Sequence, residues 1–600
     1  MDPALASVRA PREEPALGPR TVRLAAIAVL IGIAGGFVAE GLLRFIGLIT
    51  NLVFFHRLST ALVPPALADL GPEVMAAPVI GALVIGLMAR FGSPAIRGHG
   101  IPEVMENVLH GDSRIPVRLM FLKPLSAAIA IGTGGPFGAE GPIIATGGAL
   151  GSSVGQLLRI TADERKTLLA AGAAAGMAAT FGSPVSAVLL AIELLLFEYR
   201  PRSIIPVALA AAAATGVRIV LVGSEPVFDS LPIAQPSGSA LAAYVVLGAI
   251  MGLAAAGTTR AVYAVEDAFE RLRIHWMWWP ALGAVAVGVI GWIEPRTLSV
   301  GYDWIEGILS GELAGMALLL FVLLKFVSWA VYLGSGTSGG TLAPLFIIGG
   351  GLGATIGGAA DALWPGLGIE PAVAGLVGMA AIFAGASHAL LASVVFAFET
   401  TRQPLGLLPL LGGCSAAYLV MLLLMRHSIM TEKLARRGTS VRTEYTLDFL
   451  SQVPVREAMS RDLVTLRADQ PLGAVRAWLS SAAGGATHQG FPVLDENGLL
   501  AGVVTRRDLL GPEADSVLVR DVIKRSPAVI FTDNTLREAA DHMVRERVGR
   551  LAVVTRQQPL RIVGIITRSD LLSAHERRLR MGDQAERLLA PTVRQRMRAG

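Results

Sequence analysis

Four stretches of this chain contain no Asp, Glu, Lys or Arg: Thr167 to Ile192, Ser239 to Thr259, Phe326 to Ala360 and Gln403 to Met425. Each reaches or exceeds the roughly 20 residues that a helix needs to cross a bilayer. Buried core helices of a large soluble protein do not account for four such runs. A hydrophobic share of 53% against 16% charged agrees, and it is unevenly spread. Roughly two-fifths of the charged residues follow Val441. The chain therefore reads as a lipid-soluble front and a water-soluble tail.

The formal charge of +5 comes with clusters at Arg436–Arg437 and at Arg577, Arg578 and Arg580. Beside spanning helices such clusters mark cytoplasmic loops and tails, where Lys and Arg accumulate, and not nucleic-acid binding. No secretory signal is expected, because the first 22 residues are polar and rich in Pro and Arg, and the apolar run from Leu24 to Val38 leads into more membrane sequence. Cys414 is the only cysteine, which excludes intrachain disulfides and four-cysteine metal sites. No metal site is expected.

The apolar front repeats itself. Gly132–Gly151 (GTGGPFGAEGPIIATGGALG) and Gly334–Gly353 (GSGTSGGTLAPLFIIGGGLG) match at an offset of 202 positions. The same offset lays Gly176–Phe181 on Gly378–Phe383, and after a small gap Glu193 corresponds to Glu399. Paired apolar segments interrupted by Gly and Pro in two halves point to a substrate site made by broken helices. Whether the halves run parallel or inverted is not written in the sequence.

Such helices suit an anion. Backbone amides at a helix N-terminus carry about half a positive charge, aim at one point, and hold an ion more gently than Lys or Arg. Glycine lets an ion approach the backbone, and proline opens a helix without wasting an N–H. Three loops have this character: Gly98-His99-Gly100-Ile101-Pro102-Glu103, Gly138-Ala139-Glu140-Gly141-Pro142 and Gly339-Gly340-Thr341-Leu342-Ala343-Pro344. They resemble the anion-coordinating signatures GSGIP, G(K/R)EGP and GxFxP of the CLC family of chloride channels and anion/proton exchangers, over about residues 23 to 437. The segment GSPVSAVLLAIE also fits. The resemblance implies an α-helical polytopic membrane protein: a homodimer in which each subunit holds its own pore between two inverted repeats of tilted and re-entrant helices.

By that resemblance the anion is bound by Gly98, His99, Gly100, Ile101 and Pro102, by Gly138, Ala139, Gly141 and Pro142, by Thr341 and Leu342, and by Met430. Glu140 is the candidate gate. A carboxylate in a membrane helix run is costly; beside convergent amides it takes an anion's place when ionised and leaves it when protonated. The plain alternative is a charge complementing a helix dipole. His99 stands where the family has Ser; its imidazole either offers an N–H or points elsewhere. Ala139, Leu342 and Met430 replace a basic residue, a Phe and a Tyr of the family pattern. Leu194 occupies the place where exchangers carry the glutamate that collects cytoplasmic protons, and leucine carries none. Glu198, one turn on, is the candidate substitute. Glu193 and Glu399 read as structural or interfacial, and Lys123 as a cation adding to the pore's positive potential, or as a snorkelling or structural one.

A second repeat lies in the tail, where Gly502-Val503-Val504-Thr505-Arg506-Arg507-Asp508-Leu509-Leu510 recurs 62 residues later at Gly564–Leu572. Each copy reads as a short strand ending in Thr and a helix start with Asp in its first turn. The pair resembles tandem CBS modules, an α/β fold that holds an adenine nucleotide (ATP, ADP or AMP). The resemblance turns Thr505 and Thr567 toward phosphates and Asp508 and Asp570 toward ribose; the plain alternative is helix capping. The expected organisation is an N-terminal tail (1–22), a membrane domain (23–437) with repeats at about 23–225 and 239–430, a linker (438–453), CBS units (454–510 and 518–575) and a basic tail (576–600).

A membrane metalloprotease is excluded because no HExxH occurs; His575-Glu576 lacks the second His. A divalent-cation transporter would want converging intramembrane carboxylates. The sequence thus predicts no enzyme and no required cofactor. It predicts a chloride channel of a bacterial inner membrane, gated by protons or voltage at Glu140, with its tail in the cytoplasm. The alternative is an exchanger of chloride, or fluoride, for protons.

Overall fold

The computed structural model describes residues 8–11, 18–71, 73–228, 232–439, 449–481, 484–557 and 561–577. Most of the N-terminal tail, linker positions 440–448 and the basic tail from 578 onward, with Arg578 and Arg580, lie outside them. Two compact units result: a helical one within Ala16–Thr443, and one made of the residues from Glu444 onward together with the start of the chain.

The helical unit lays out its elements twice. The first half runs α1 (Pro19–Phe54), α2 (Glu73–Leu87), α3 (Ile101–His110), α4 (Leu119–Gly132), α5 (Glu140–Leu157), α6 (Ala162–Phe181), α7 (Pro184–Ala191) and α8 (Pro201–Val222). The second runs α9 (Gly238–Glu270), α10 (Trp279–Ile293), α11 (Tyr302–Leu309), α12 (Gly315–Gly334), α13 (Leu342–Leu363), α14 (Pro371–Ser387), α15 (Leu390–Thr401) and α16 (Leu407–Leu424); the short α17 (Glu432–Arg436) follows. The offset of 202 recurs in the structure: α4 and α12 end at Gly132 and Gly334, and α5 and α13 begin at Glu140 and Leu342. Eight helices among the described residues are long and apolar enough to cross a bilayer.

Local chemistry sets the helix ends. Thr161 and Glu164 form a reciprocal capping box that starts α6, and Pro184, Pro201 and Pro371 each open a helix where a missing N–H costs nothing. Close packing of the repeat cores depends on absent side chains. A Cβ at Gly147 or Gly151 would strike backbone of α6, and one at Gly349 or Gly353 would strike backbone of α14. The two helices of each pair therefore approach almost backbone to backbone.

The halves also exchange caps. Glu193, just beyond α7, accepts the N–H groups of Leu391 (3.0 Å) and Ala392 (3.1 Å) in the first turn of α15. Glu399, near the end of α15, accepts those of Val185 (3.0 Å) and Ser186 (2.8 Å) in the first turn of α7. The two helices thus run antiparallel, each anion closing the other's N-terminus, as inverted repeats require. Both glutamates are structural groups.

The tail unit holds two copies of one small sheet. In the first, β1 (Leu466–Arg467) pairs parallel with β2 (Gly490–Leu494), which pairs antiparallel with β3 (Leu500–Thr505). In the second, β4 (Val529–Phe531), β5 (Arg550–Val554) and β6 (Ile562–Thr567) repeat the order, with a register shift at the matching place. Arg9 lies alongside the free edge of β4: its N–H donates to Pro527, and its carbonyl accepts from Val529.

Replacing Glu399 by Ala is expected to destabilise the helical unit by about 1–2 kcal/mol, because two helix N–H groups lose a charged acceptor. Thermal unfolding of the purified protein in detergent checks this as a lowered midpoint.

Candidate functional site

Three helices begin where the three sequence loops end: α3 at Ile101, α5 at Glu140 and α13 at Leu342. The loops touch one another. Gly98 N–H donates to Thr337 O (2.8 Å), and Gly98 bridges Ser338. Gly340 N–H donates to Gly138 O (3.0 Å), with a return bond of 3.4 Å. Gly100 and His99 meet Gly141 so closely that a Cβ on Gly141 would collide with His99 O. Ile101, Pro102, Ala139, Gly141, Pro142 and Leu342 are buried around this junction.

Glu140 is fully buried at the head of α5. Its Oε1 accepts the Tyr302 hydroxyl at 2.8 Å. Its Oε2 lies over Gly138 and against Gly340, where a Cβ on either glycine would crowd it. The carboxylate thus occupies the surface that the second and third loops share. Oε2 finds no hydrogen-bond partner among the described residues, and neither do His99 Nδ1 and Thr341 Oγ1. Unpartnered polar atoms are rare in a protein interior; three of them belong to residues of the converging loops.

His99 borders a cavity of about 530 Å³ that opens beside α17. Glu103, Glu266, Glu270, Lys433 and Arg97 also line it. Glu103 accepts the N–H of Gly100 (3.0 Å), capping α3, and pairs with Lys433 (3.1 Å). Met430 is buried next to Ile429, whose carbonyl accepts the Tyr263 hydroxyl at 2.8 Å. Lys123 does not snorkel, and among the described residues it finds no carboxylate at hydrogen-bond distance. Its ammonium donates to Ile96 O and Gly98 O, both at 2.7 Å, and so ties down the first loop. Lys325, 202 positions later, does the same for Thr297 O (2.9 Å) and Ser299 O (3.0 Å).

A profile described as voltage gated chloride channel matches residues 80–422, and one described as CBS domain matches 455–512 and 519–577. An H+/Cl− exchange transporter, ClcA, of Vibrio parahaemolyticus is 30% identical over 430 residues, covering 68% of this chain and 89% of that protein. This chain belongs to the CLC family. Its membrane unit also shares the fold of a slow cyanobacterial Cl−/H+ antiporter (TM-score 0.61, 24% identity, 70% of this chain and 98% of that one). A eukaryotic CLC transporter matches over 92% of this chain and 98% of its own, with a TM-score of 0.58 and 21% identity. The protein is a multi-pass membrane protein of an anion-transporting family with a CBS pair at its C-terminus.

Two residues of this CLC chain stand where the sequence reading looked for a proton path. Leu194 is buried in a single wide turn, Ile192–Leu196, that follows α7. Glu198 is engaged: it accepts from Ser203 Oγ (2.7 Å) and pairs with Lys166 (3.3 Å) and Arg200 (3.6 Å). Burial pushes its carboxyl up, but the Ser203 bond and the two cations outweigh burial and hold it below the ordinary range. A carboxylate kept ionised in this way is a poor replacement proton carrier.

Tyr302 and Lys325 were not singled out by sequence reasoning. Lys325 was available from the repeat offset applied to Lys123. Tyr302 had no signal of its own, since one Tyr after one Gly is ordinary.

In the CBS pair, Asp508 accepts the N–H (2.9 Å) and hydroxyl of Thr505, and Asp570 those of Thr567 (2.7 Å each). Each Asp therefore caps the helix it opens. Asp508 also meets Lys524 at 2.8 Å. Burial raises its carboxyl, but Lys524 and the Thr505 donors prevail and hold it at about 2. A carboxyl lowered on folding stabilises above its unfolded value, near 4, and the contribution fades as pH falls toward 2. Asp508→Ala is expected to loosen residues 505–509 by about 1 kcal/mol at neutral pH, and by much less near pH 2. Hydrogen exchange across that segment measures the difference.

Proposed function

We propose that the chain exchanges chloride for protons across a bacterial inner membrane, as a homodimer with its CBS pair in the cytoplasm. The observation that carries the reading is the buried Glu140 carboxylate seated over Gly138 and against Gly340, on the surface that the second and third loops share. An anion and this carboxylate compete for one place. Converging N–H dipoles of α3, α5 and α13 supply what water supplied to the ion outside. Protonating Glu140 removes its charge and its claim on those dipoles, so the anion enters and a proton is carried on the side chain. Voltage acts on the same step, since both competitors are charged.

Relatives that bear exchanger names favour this coupled reading over the channel expected from sequence. Leu194 favours the channel, because the family's inner proton glutamate is missing there. Under the exchange reading protons reach the junction through the cavity beside α17, which is lined by Glu103, Glu266 and Glu270. Adenine nucleotide binding at the CBS pair belongs to the same proposal: Asp570 borders a cavity of about 300 Å³ with Ala458, Ser573, Glu576 and Arg577. Calorimetric titration with ATP and AMP tests it.

The decisive measurement is the reversal potential of the reconstituted protein under a fixed chloride gradient. An exchanger's reversal potential moves when a pH gradient is imposed, and a channel's ignores it. A stationary value would replace exchange by passive conduction. Glu140→Gln is expected to abolish proton coupling and most of the pH dependence of chloride flux; a variant that still responds to acid like the parent would remove Glu140 from the gate.

A further inference from the structure

Tyr302 opens α11, the repeat counterpart of α3. The same devices that hold the His99 loop hold this one. Gly301 precedes α11 with φ +79°, as Gly100 precedes α3 with φ +92°, a backbone that favours glycine. Lys325 pins the carbonyls of Thr297 and Ser299, as Lys123 pins Ile96 and Gly98. Ser299 N–H donates to Gly134 O (3.1 Å), in the segment that leads into α5. The loop that carries Tyr302 is thus fastened to the loop that carries Glu140.

The ring is fixed as well. Phe181 meets it edge-on at 5.6 Å, Phe228 lies 6.2 Å away, and Phe181 in turn packs on Phe396 at 4.9 Å. A phenol enclosed by aromatic rings needs an acceptor for its proton, and it has Glu140 Oε1 at 2.8 Å. It is the one side-chain donor to Glu140 among the described residues. Apart from His99 on the first loop, whose Nδ1 has no partner among the described residues, the other charged or titratable groups near the junction are turned away or engaged elsewhere. Lys325 on α12 and Lys123 on α4 face carbonyls, Glu103 on α3 is paired with Lys433 on α17, and Asp303 beside Tyr302 is exposed.

We propose that Tyr302 is a positioning residue for the gate: its hydroxyl latches the Glu140 carboxylate onto Gly138 and Gly340, and so sets how readily chloride or a proton displaces it. The inference rests on the reading of Glu140 as the gate. A donor that serves only the seated, ionised carboxylate favours that state over the protonated or displaced one. Removing the donor makes the seat easier to vacate while the aromatic packing stays.

The test is chloride efflux from liposomes containing the full chain, followed against pH for the parent, Tyr302→Phe, Glu140→Gln and the double variant. Tyr302→Phe should half-activate about one pH unit higher and run several-fold faster near neutral pH. In the Glu140→Gln background the same change should alter flux by less than about twofold, because the latch has lost its charged partner. An unmoved midpoint in Tyr302→Phe, or an equal change in both backgrounds, would overturn the latch and leave Tyr302 a packing residue. Full acid activation in Glu140→Gln alone defeats the gate reading first, in an arm where Tyr302 is untouched, and the latch falls with it.

Discussion

An anion stripped of water inside a bilayer has to be met by dipoles already pointing at it, because lipid cannot reorient to help. On the function proposed above, the membrane unit is arranged around that requirement. Helices α3, α5 and α13 begin at a common point, which on that reading offers the ion peptide N–H groups in place of charged side chains. A lysine at the same point would bind too firmly for turnover. Both buried lysines are therefore turned to backbone carbonyls, where they stabilise loop shape.

The glycine loops, their duplication and their shared register were legible because each rests on a local rule: close approach demands glycine, helix starts tolerate proline, and duplication preserves spacing. Glu140 was legible because an ionisable group in a charge-free run has few reasons to be there. The antiparallel pairing of the halves was not. It emerges from α7 and α15 meeting head to tail, a contact between residues some 200 positions apart, and hydrophobic periodicity carries no such information. The Tyr302–Glu140 bond escaped for the same reason: its partners lie 162 positions apart.

The tail shows the opposite balance. Thr505-x-x-Asp508 and Thr567-x-x-Asp570 were legible as helix starts, and the capping bonds are local. A nucleotide role rests on family likeness, and capping already accounts for why Thr and Asp stand at that spacing. The same four side chains serve either purpose.

Glu193 and Glu399 each close a helix that belongs to the opposite half. Separated, each half would hold a glutamate with nothing to cap and a helix start with no anion. Two identical unfused copies, inserted in opposite orientations, would make the same contact twice across a two-fold axis in the membrane plane. Joining them end to end changes the covalent path and leaves the contact as it was. The reciprocal glutamates thus preserve, inside one polypeptide, the interface of an antiparallel dimer.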